Sequence, residues 1–230
     1  MNMSRARVLA LALTVYLSRL TASIAADAVS HDADYDYDPP VVGSYALPVI
    51  KVAPDGAIID SDSKSLNLCQ LTHGRITVLS FIYTRCAAPK ACPYAVSVLS
   101  QLHALSADDK ALATNMRLVS LSFDPDYDTP QRLAESSEAM RDEKSGCEWH
   151  FATAKSNAAL ESILNGYGQA VDKRSNPNDP QGPLYHILRL FLIDRQGRIR
   201  NIYSSATLDP RLVLADVKTL LLEETKLSKH

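Results

Sequence analysis

The sequence lacks several features that would assign it quickly. No apolar run approaches the roughly 18 residues of a membrane-spanning helix, so no stable span is expected in the mature chain. Positive charge is not in surplus: 24 Lys and Arg stand against 26 Asp and Glu, a net charge of -2. That balance speaks against nucleic acid as a partner, because such partners call for a basic stripe. No segment repeats, which sets repeat architectures aside. Cysteine is scarce, with four in 230 residues: Cys69, Cys86, Cys92 and Cys147. What remains is ordinary globular composition, 46% apolar and 22% charged, and enough chain for one domain with a full core.

The N-terminus reads as an export signal over residues 1–25. Arg5 and Arg7 form a short basic region, Val8 to Leu17 an apolar stretch, and Ser23-Ile24-Ala25 a small-residue cleavage site. Export would make the mature chain periplasmic or otherwise extracytoplasmic and expose its cysteines to an oxidising or copper-containing compartment. Residues 26–43 are acidic, short in aliphatics and interrupted by Pro39-Pro40, which predicts a flexible tail. His31 and the neighbouring aspartates could hold a metal weakly, but carboxylates without a fixed frame select poorly.

The folded domain is expected over 44–230. Segments Tyr45–Val52 and Gly56–Ile59 flank Pro54-Asp55-Gly56 and suggest a hairpin. Ile76–Tyr83 reads as a buried strand, and Pro93–Leu105 carries apolar residues at the spacing of one helix face. Arg117–Phe123 is a second strand, and Thr129-Pro130 opens a helix with Thr129 as cap. Trp149–Thr153 is a short strand, Ala158–Tyr167 a short helix, and Asp172–Pro183 a polar loop with three prolines. Ile187–Ile193 is a strand that turns at Arg195-Gln196-Gly197 into Arg198–Tyr203, and Asp209-Pro210 starts the last helix. This order predicts an α/β domain with a partly parallel sheet. It is the element order of a thioredoxin-like fold with an N-terminal β-hairpin and a small insertion before the last two core strands.

The informative segment runs from Tyr83 to Pro93 (YTRCAAPKACP). It leaves the end of a buried strand and enters a helix, where sites in open α/β sheets collect. The helix dipole at Cys92, with Arg85 and Lys90 nearby, is expected to lower the pKa of both thiols. Cys86 and Cys92 could form a redox-active pair or a structural disulfide. Two soft sulfurs also suit Cu(I) with a neutral imidazole as third ligand, whereas zinc wants a fourth. His186, delivered just ahead of a core strand, is the histidine best placed to join them. His73, His103, His150 and His230 lack that position. Cys69 and Cys147 each flank a predicted strand, as a second disulfide or as two separate thiols.

These residues resemble the Sco/SenC family, named for synthesis of cytochrome c oxidase, over about residues 44 to 225. Four segments carry the resemblance: Phe81-Ile82-Tyr83-Thr84-Arg85-Cys86 with Cys92-Pro93, Phe123 to Pro130 (FDPDYDTP), Trp149-His150-Phe151, and His186 placed eight residues before Asp194-Arg195-Gln196-Gly197. The resemblance implies a periplasmic thioredoxin-like protein that binds Cu(I) or Cu(II) through Cys86, Cys92 and His186. Such a protein delivers copper to, or keeps thiols reduced at, the copper site of a cytochrome oxidase. Its partner would be an oxidase subunit or another copper or thiol redox protein. Asp124 and Asp128 belong to the second-strand motif, where Asp128 and Thr129 can cap the next helix. The family's motif has three residues between the cysteines, and here there are five. The two extra residues must bulge from the loop or displace a sulfur.

Four readings follow. A copper-binding assembly factor would act by ligand exchange and is a metallochaperone rather than an enzyme. A thiol-disulfide oxidoreductase would use Cys86 and Cys92 without need of His186. A peroxide-reducing thiol enzyme is permitted by the fold but has no dedicated constellation, and a module merely stapled by disulfides is the bland alternative.

Overall fold

The computed structural model describes residues 37–141 and 146–227. The leader-like segment 1–25, the tail through residue 36 with His31, and His230 lie outside them. Among the described residues ten strands form: β1 (Lys51–Val52), β2 (Ala57–Asp60), β3 (Ser65–Asn67), β4 (Ile76–Ile82), β5 (Met116–Ser122), β6 (Glu148–Ala154), β7 (Val171–Lys173), β8 (Leu184–His186), β9 (Arg189–Ile193) and β10 (Arg198–Ser204). The helices are α1 (Cys69–Thr72), α2 (Cys92–Ala107), α3 (Lys110–Asn115), α4 (Pro130–Arg141), α5 (Asn157–Tyr167) and α6 (Pro210–Leu227).

Eight strands make one sheet in the order β1-β10-β9-β4-β5-β6-β2-β3. β4, β5 and β6 are parallel neighbours joined through helices, and β9 runs antiparallel along the other side of β4. β4 is buried at every position, which explains why its apolar run is interrupted only by the small polar residues Thr77 and Ser80: both faces of a central strand are covered. Successive side chains serve opposite faces. Leu79, Phe81, Val119, Phe191 and Ile193 join Ile163 and Tyr167 of α5 in one core. Val78, Leu118, Leu190 and Leu192 join Val98, Leu99 and Leu102 of α2 and Val213, Val217 and Leu220 of α6 in the other. That alternation is the period-2 geometry of a strand, and it makes three layers.

The N-terminal hairpin lies elsewhere than expected. Tyr45–Val52 and Gly56–Ile59 do not pair with each other. β1 joins β10 at one end of the strand order, while β2 joins β6 and β3 near the other. The Asp55 carboxylate holds the intervening segment open by accepting from the N–H groups of Gly56 and Cys69, both at 2.8 Å. The hairpin that forms is β2–β3. Asp60 Oδ1 accepts there from Asp62 N at 3.0 Å and Lys64 N at 2.8 Å, an Asx-type closure. The expected polar loop 172–183 is largely the tip of a small ribbon, with β7 and β8 paired from Val171–His186 to Lys173–Leu184. This ribbon is the insertion before β9 and β10.

Candidate metal and thiol site

The site begins where β4 ends. Thr84, two residues past the strand, is anchored by Asp128: its N–H donates to Asp128 Oδ2 at 3.0 Å, and its hydroxyl donates to Asp128 Oδ1. Ser122 Oγ donates to the same carboxylate at 2.6 Å. Asp128, fully buried, therefore ties the end of β5 to the departing cysteine loop. It does not cap α4; Thr129 does that, accepting from Arg132 N at 3.4 Å. Asp124 acts alongside, pairing with Arg85 at 2.5 Å, and the Arg85 guanidinium lies over the Tyr127 ring at 4.1 Å. Asp124 and Asp128 of the motif thus fasten the loop, and Ser122 shares the task although no sequence signal marks it.

The loop between the sulfurs bulges, and the sulfurs stay together. Cys86 N donates to Tyr83 O at 3.2 Å in a turn that leads into the loop, and within the loop Ala91 N donates to Ala88 O at 3.0 Å, a second turn that takes up part of the extra length. Ala87 N reaches across to Gln181 O at 3.2 Å and joins the bulge to the β7–β8 ribbon. Tyr83 Oη donates to Leu184 O of the same ribbon at 3.0 Å. The ribbon in turn delivers His186, the last residue of β8, onto the thiols. His186 Nε2 lies 3.2 Å from Cys92 Sγ and 3.9 Å from Cys86 Sγ. The three donor atoms all fall within 4.8 Å of one another.

The imidazole is buried, packed between Phe123 and Tyr83 with ring centroids 4.8 Å and 6.0 Å away. Its Nδ1 is buried and has no hydrogen-bond partner among the described residues. Cys92 is buried as the first residue of α2, while Cys86 is half-buried at the loop surface. The thiols do not share the lowered pKa expected of both. Cys86 is pulled down to about 4, chiefly because Cys92 donates to its thiolate, with His186 and nearby N–H groups adding to the effect against the opposing cost of burial. Cys92 is pushed well above the ordinary thiol range, first by serving as that donor and then by burial. The helix dipole does not prevail at Cys92, and Arg85 contributes little free charge because Asp124 neutralises it.

Two sulfurs and one imidazole nitrogen suit a soft cation. With bonds of about 2.0 to 2.3 Å, a three-coordinate ion needs donors about 3.7 to 4.0 Å apart. His186 Nε2 lies 3.2 Å and 3.9 Å from the two sulfurs, and all three donors lie within 4.8 Å of one another, so small side-chain shifts would complete a trigonal site. This trio is the one group of three or more His, Cys, Asp and Glu able to hold a metal among the described residues. The other histidines serve elsewhere: His73 Nδ1 lies 3.0 Å from Cys69 O, His103 packs on Trp149, and His150 contacts Glu148. Cys69 and Cys147 are two separate free thiols, the first beside Asp55 and the second in the α2–α6 core.

The SCO1/SenC family profile matches residues 58–222. The SCO1 protein homolog of Bacillus subtilis (strain 168) is 25% identical over 161 residues, covering 70% of this chain and 78% of that protein. Arabidopsis thaliana ScoI, solved with copper bound, superposes with a TM-score of 0.63 at 18% identity, over 75% of this chain and 99% of that one. A SCO1/SenC family lipoprotein from Bacillus anthracis str. Ames gives 0.62 at 23% identity, over 77% and 99%. The fold is the thioredoxin-like fold of these proteins. With the match extending from β2 into α6, the chain belongs to the SCO1/SenC family.

Proposed function

We propose that this protein is an exported copper-binding assembly factor. It takes up copper as Cu(I) through Cys86, Cys92 and His186 and delivers it to the copper site of a respiratory oxidase. The observation that carries the reading is the convergence of two sulfurs and one imidazole, from segments 94 residues apart, on a single point. The Arabidopsis relative of the same fold holds copper, and the leader-like N-terminus fits export to a compartment where copper is handled.

The three donors have different parts in an exchange. Cys86 is half-exposed and already a thiolate, so it is the sulfur that an incoming donor meets first. Cys92 is protonated in the metal-free protein and must lose that proton on loading, which makes uptake proton-releasing. His186, held between two aromatic rings, closes the site from the ribbon side. Joining Cys86 to Cys92 would remove two electrons from the thiolate–thiol pair, together with the one proton that Cys92 holds, and abolish the donor set, so oxidation and loading exclude each other.

The split between the thiols also favours a second reading, a thiol-disulfide oxidoreductase. There the Cys86 thiolate would attack a partner disulfide and release one partner thiolate. Cys92, giving up its proton, would then displace the second and leave the Cys86–Cys92 disulfide. One titration separates the readings. Anaerobic reduced protein competing with a Cu(I) chelator should bind one ion. Cys86→Ser should lose that uptake, and His186→Ala should weaken it at least tenfold. Absence of uptake, or uptake unchanged in Cys86→Ser, sinks the copper reading. Disulfide reductase activity that survives His186→Ala would support the alternative.

A further inference from the structure

The lengthened inter-cysteine loop does more than bulge harmlessly. Together with the β7–β8 ribbon it walls a cleft of about 450 Å³ whose floor is Cys86 and His186. Pro89 and Lys90 stand on the loop side; Arg174 and Tyr185 stand on the ribbon side. Both cations belong to the rim, and no carboxylate lines the cleft. Lys90 is exposed and makes no ion pair among the described residues. Arg174 is only loosely compensated: Asp179 lies 3.9 Å away, at the limit of an ion pair, and its Nη2 donates to Gln181 Oε1 at 3.3 Å. Its guanidinium lies 5.6 Å from the centre of the Tyr185 ring, which is 55% exposed. The protein as a whole carries a net charge of -2, so this cationic rim is a local arrangement and not the overflow of a basic surface.

We propose that this cleft docks the recipient protein through an acidic segment that carries a cysteine or methionine. The carboxylates would meet Lys90 and Arg174 while the soft side chain reaches Cys86. This rests on the reading of Cys86 as the exchange sulfur and adds the charge and the face of the partner. The complementarity is specific to the rim, because Arg85, one residue before Cys86, is occupied by Asp124. The walls are held before any partner arrives, by the Ala87–Gln181 and Ala91–Ala88 hydrogen bonds. A charged rim around a single reactive atom acts mainly on encounter rate, and its effect fades as salt rises.

The test uses the full reduced, metal-free protein and two small disulfides of opposite charge, anionic 5,5′-dithiobis(2-nitrobenzoate) and cationic cystamine. Each reacts at Cys86, forming a mixed disulfide and releasing its own thiolate, which is the quantity measured. The ratio of the two rate constants cancels any change in the nucleophilicity of Cys86. At low salt, Lys90→Gln with Arg174→Gln should lower the anionic-to-cationic ratio roughly tenfold relative to the unaltered protein. High salt should erase the difference. Lys90→Gln alone, on an exposed loop, should lower it part of the way, which covers any loss of folding in the double variant. Lys110, the first residue of α3, lies just past the far end of α2, whose 16 residues span about 24 Å, and Lys110→Gln should leave the ratio unchanged. A ratio indifferent to both cleft substitutions overturns the proposal, whether or not the protein takes up Cu(I). A shifted ratio in a protein that fails the Cu(I) titration would support the docking cleft while the copper reading falls.

Discussion

Cys86 and Cys92 are chemically identical side chains that the surroundings make unlike. One is a half-exposed thiolate; the other is buried and protonated, donating to the first. The consequence is measurable by alkylation of the reduced protein with iodoacetamide, which consumes only thiolate. An ordinary thiol, with a pKa near 8.5, loses about tenfold in rate for each pH unit below that value. A lowered pKa means that the thiolate persists as pH falls. The Cys86 rate should therefore stay level from pH 8 to about pH 5 and drop only through the region of its pKa, about 4. His186→Ala removes one donor to the thiolate and should move that midpoint upward. A midpoint above pH 7 in the unaltered protein would contradict the assigned asymmetry. Sequence spacing could nominate both cysteines but not rank them, because the ranking depends on which sulfur is buried and which accepts a hydrogen bond.

At the level of elements, the ribbon and the cysteine loop are pressed together at Gly182. Its φ is +99°, a region that side chains rarely adopt, and a Cβ there would run into the Tyr83 hydroxyl and the Arg85 carbonyl. Gly182→Ala should cost about 1 to 2 kcal/mol for the backbone alone. It should also push the ribbon, and His186 with it, away from the sulfurs. Gly74 supplies the control: its φ is +82°, yet nothing lies within 4 Å of a Cβ built there. Urea unfolding should show both variants destabilised, and Cu(I) competition should show only Gly182→Ala weakened. Equal affinities for the two variants would mean that the ribbon does not position the imidazole. The elements themselves were largely legible. β4, α2, β5, α4 and α5 fall within about two residues of the segments read from periodicity and caps, since those signals are local. The hairpin was misplaced because Pro54-Asp55-Gly56 is a credible turn by composition. Which strand a segment pairs with is settled by β10 and β6, far away in sequence.

Across the whole molecule, the site joins three separated parts of the chain: the end of β4, the start of α2 and the end of the ribbon. A ligand that binds all three stabilises only the folded state. At a free Cu(I) activity 1,000 times its dissociation constant, the gain is about 4 kcal/mol. For a domain of this size that corresponds to a rise in Tm of roughly 8 to 16 °C. Calorimetry of the anaerobic reduced protein should show the rise, a stronger chelator should reverse it, and Cys86→Ser should lack it. An unchanged Tm on saturation would mean that the ion sits on the cysteine loop without engaging the ribbon. The sequence by itself determined the α/β class, the buried parallel strands, the thiol-bearing crossover and the family, because apolar period, capping residues and motif spacing act over a few neighbours. Only the tertiary structure decided that Asp128 anchors the loop instead of capping a helix, that five intervening residues leave the sulfurs together, and that His186 reaches them. Each of those outcomes depends on where distant backbone segments come to rest against one another, and no local pattern encodes that distance.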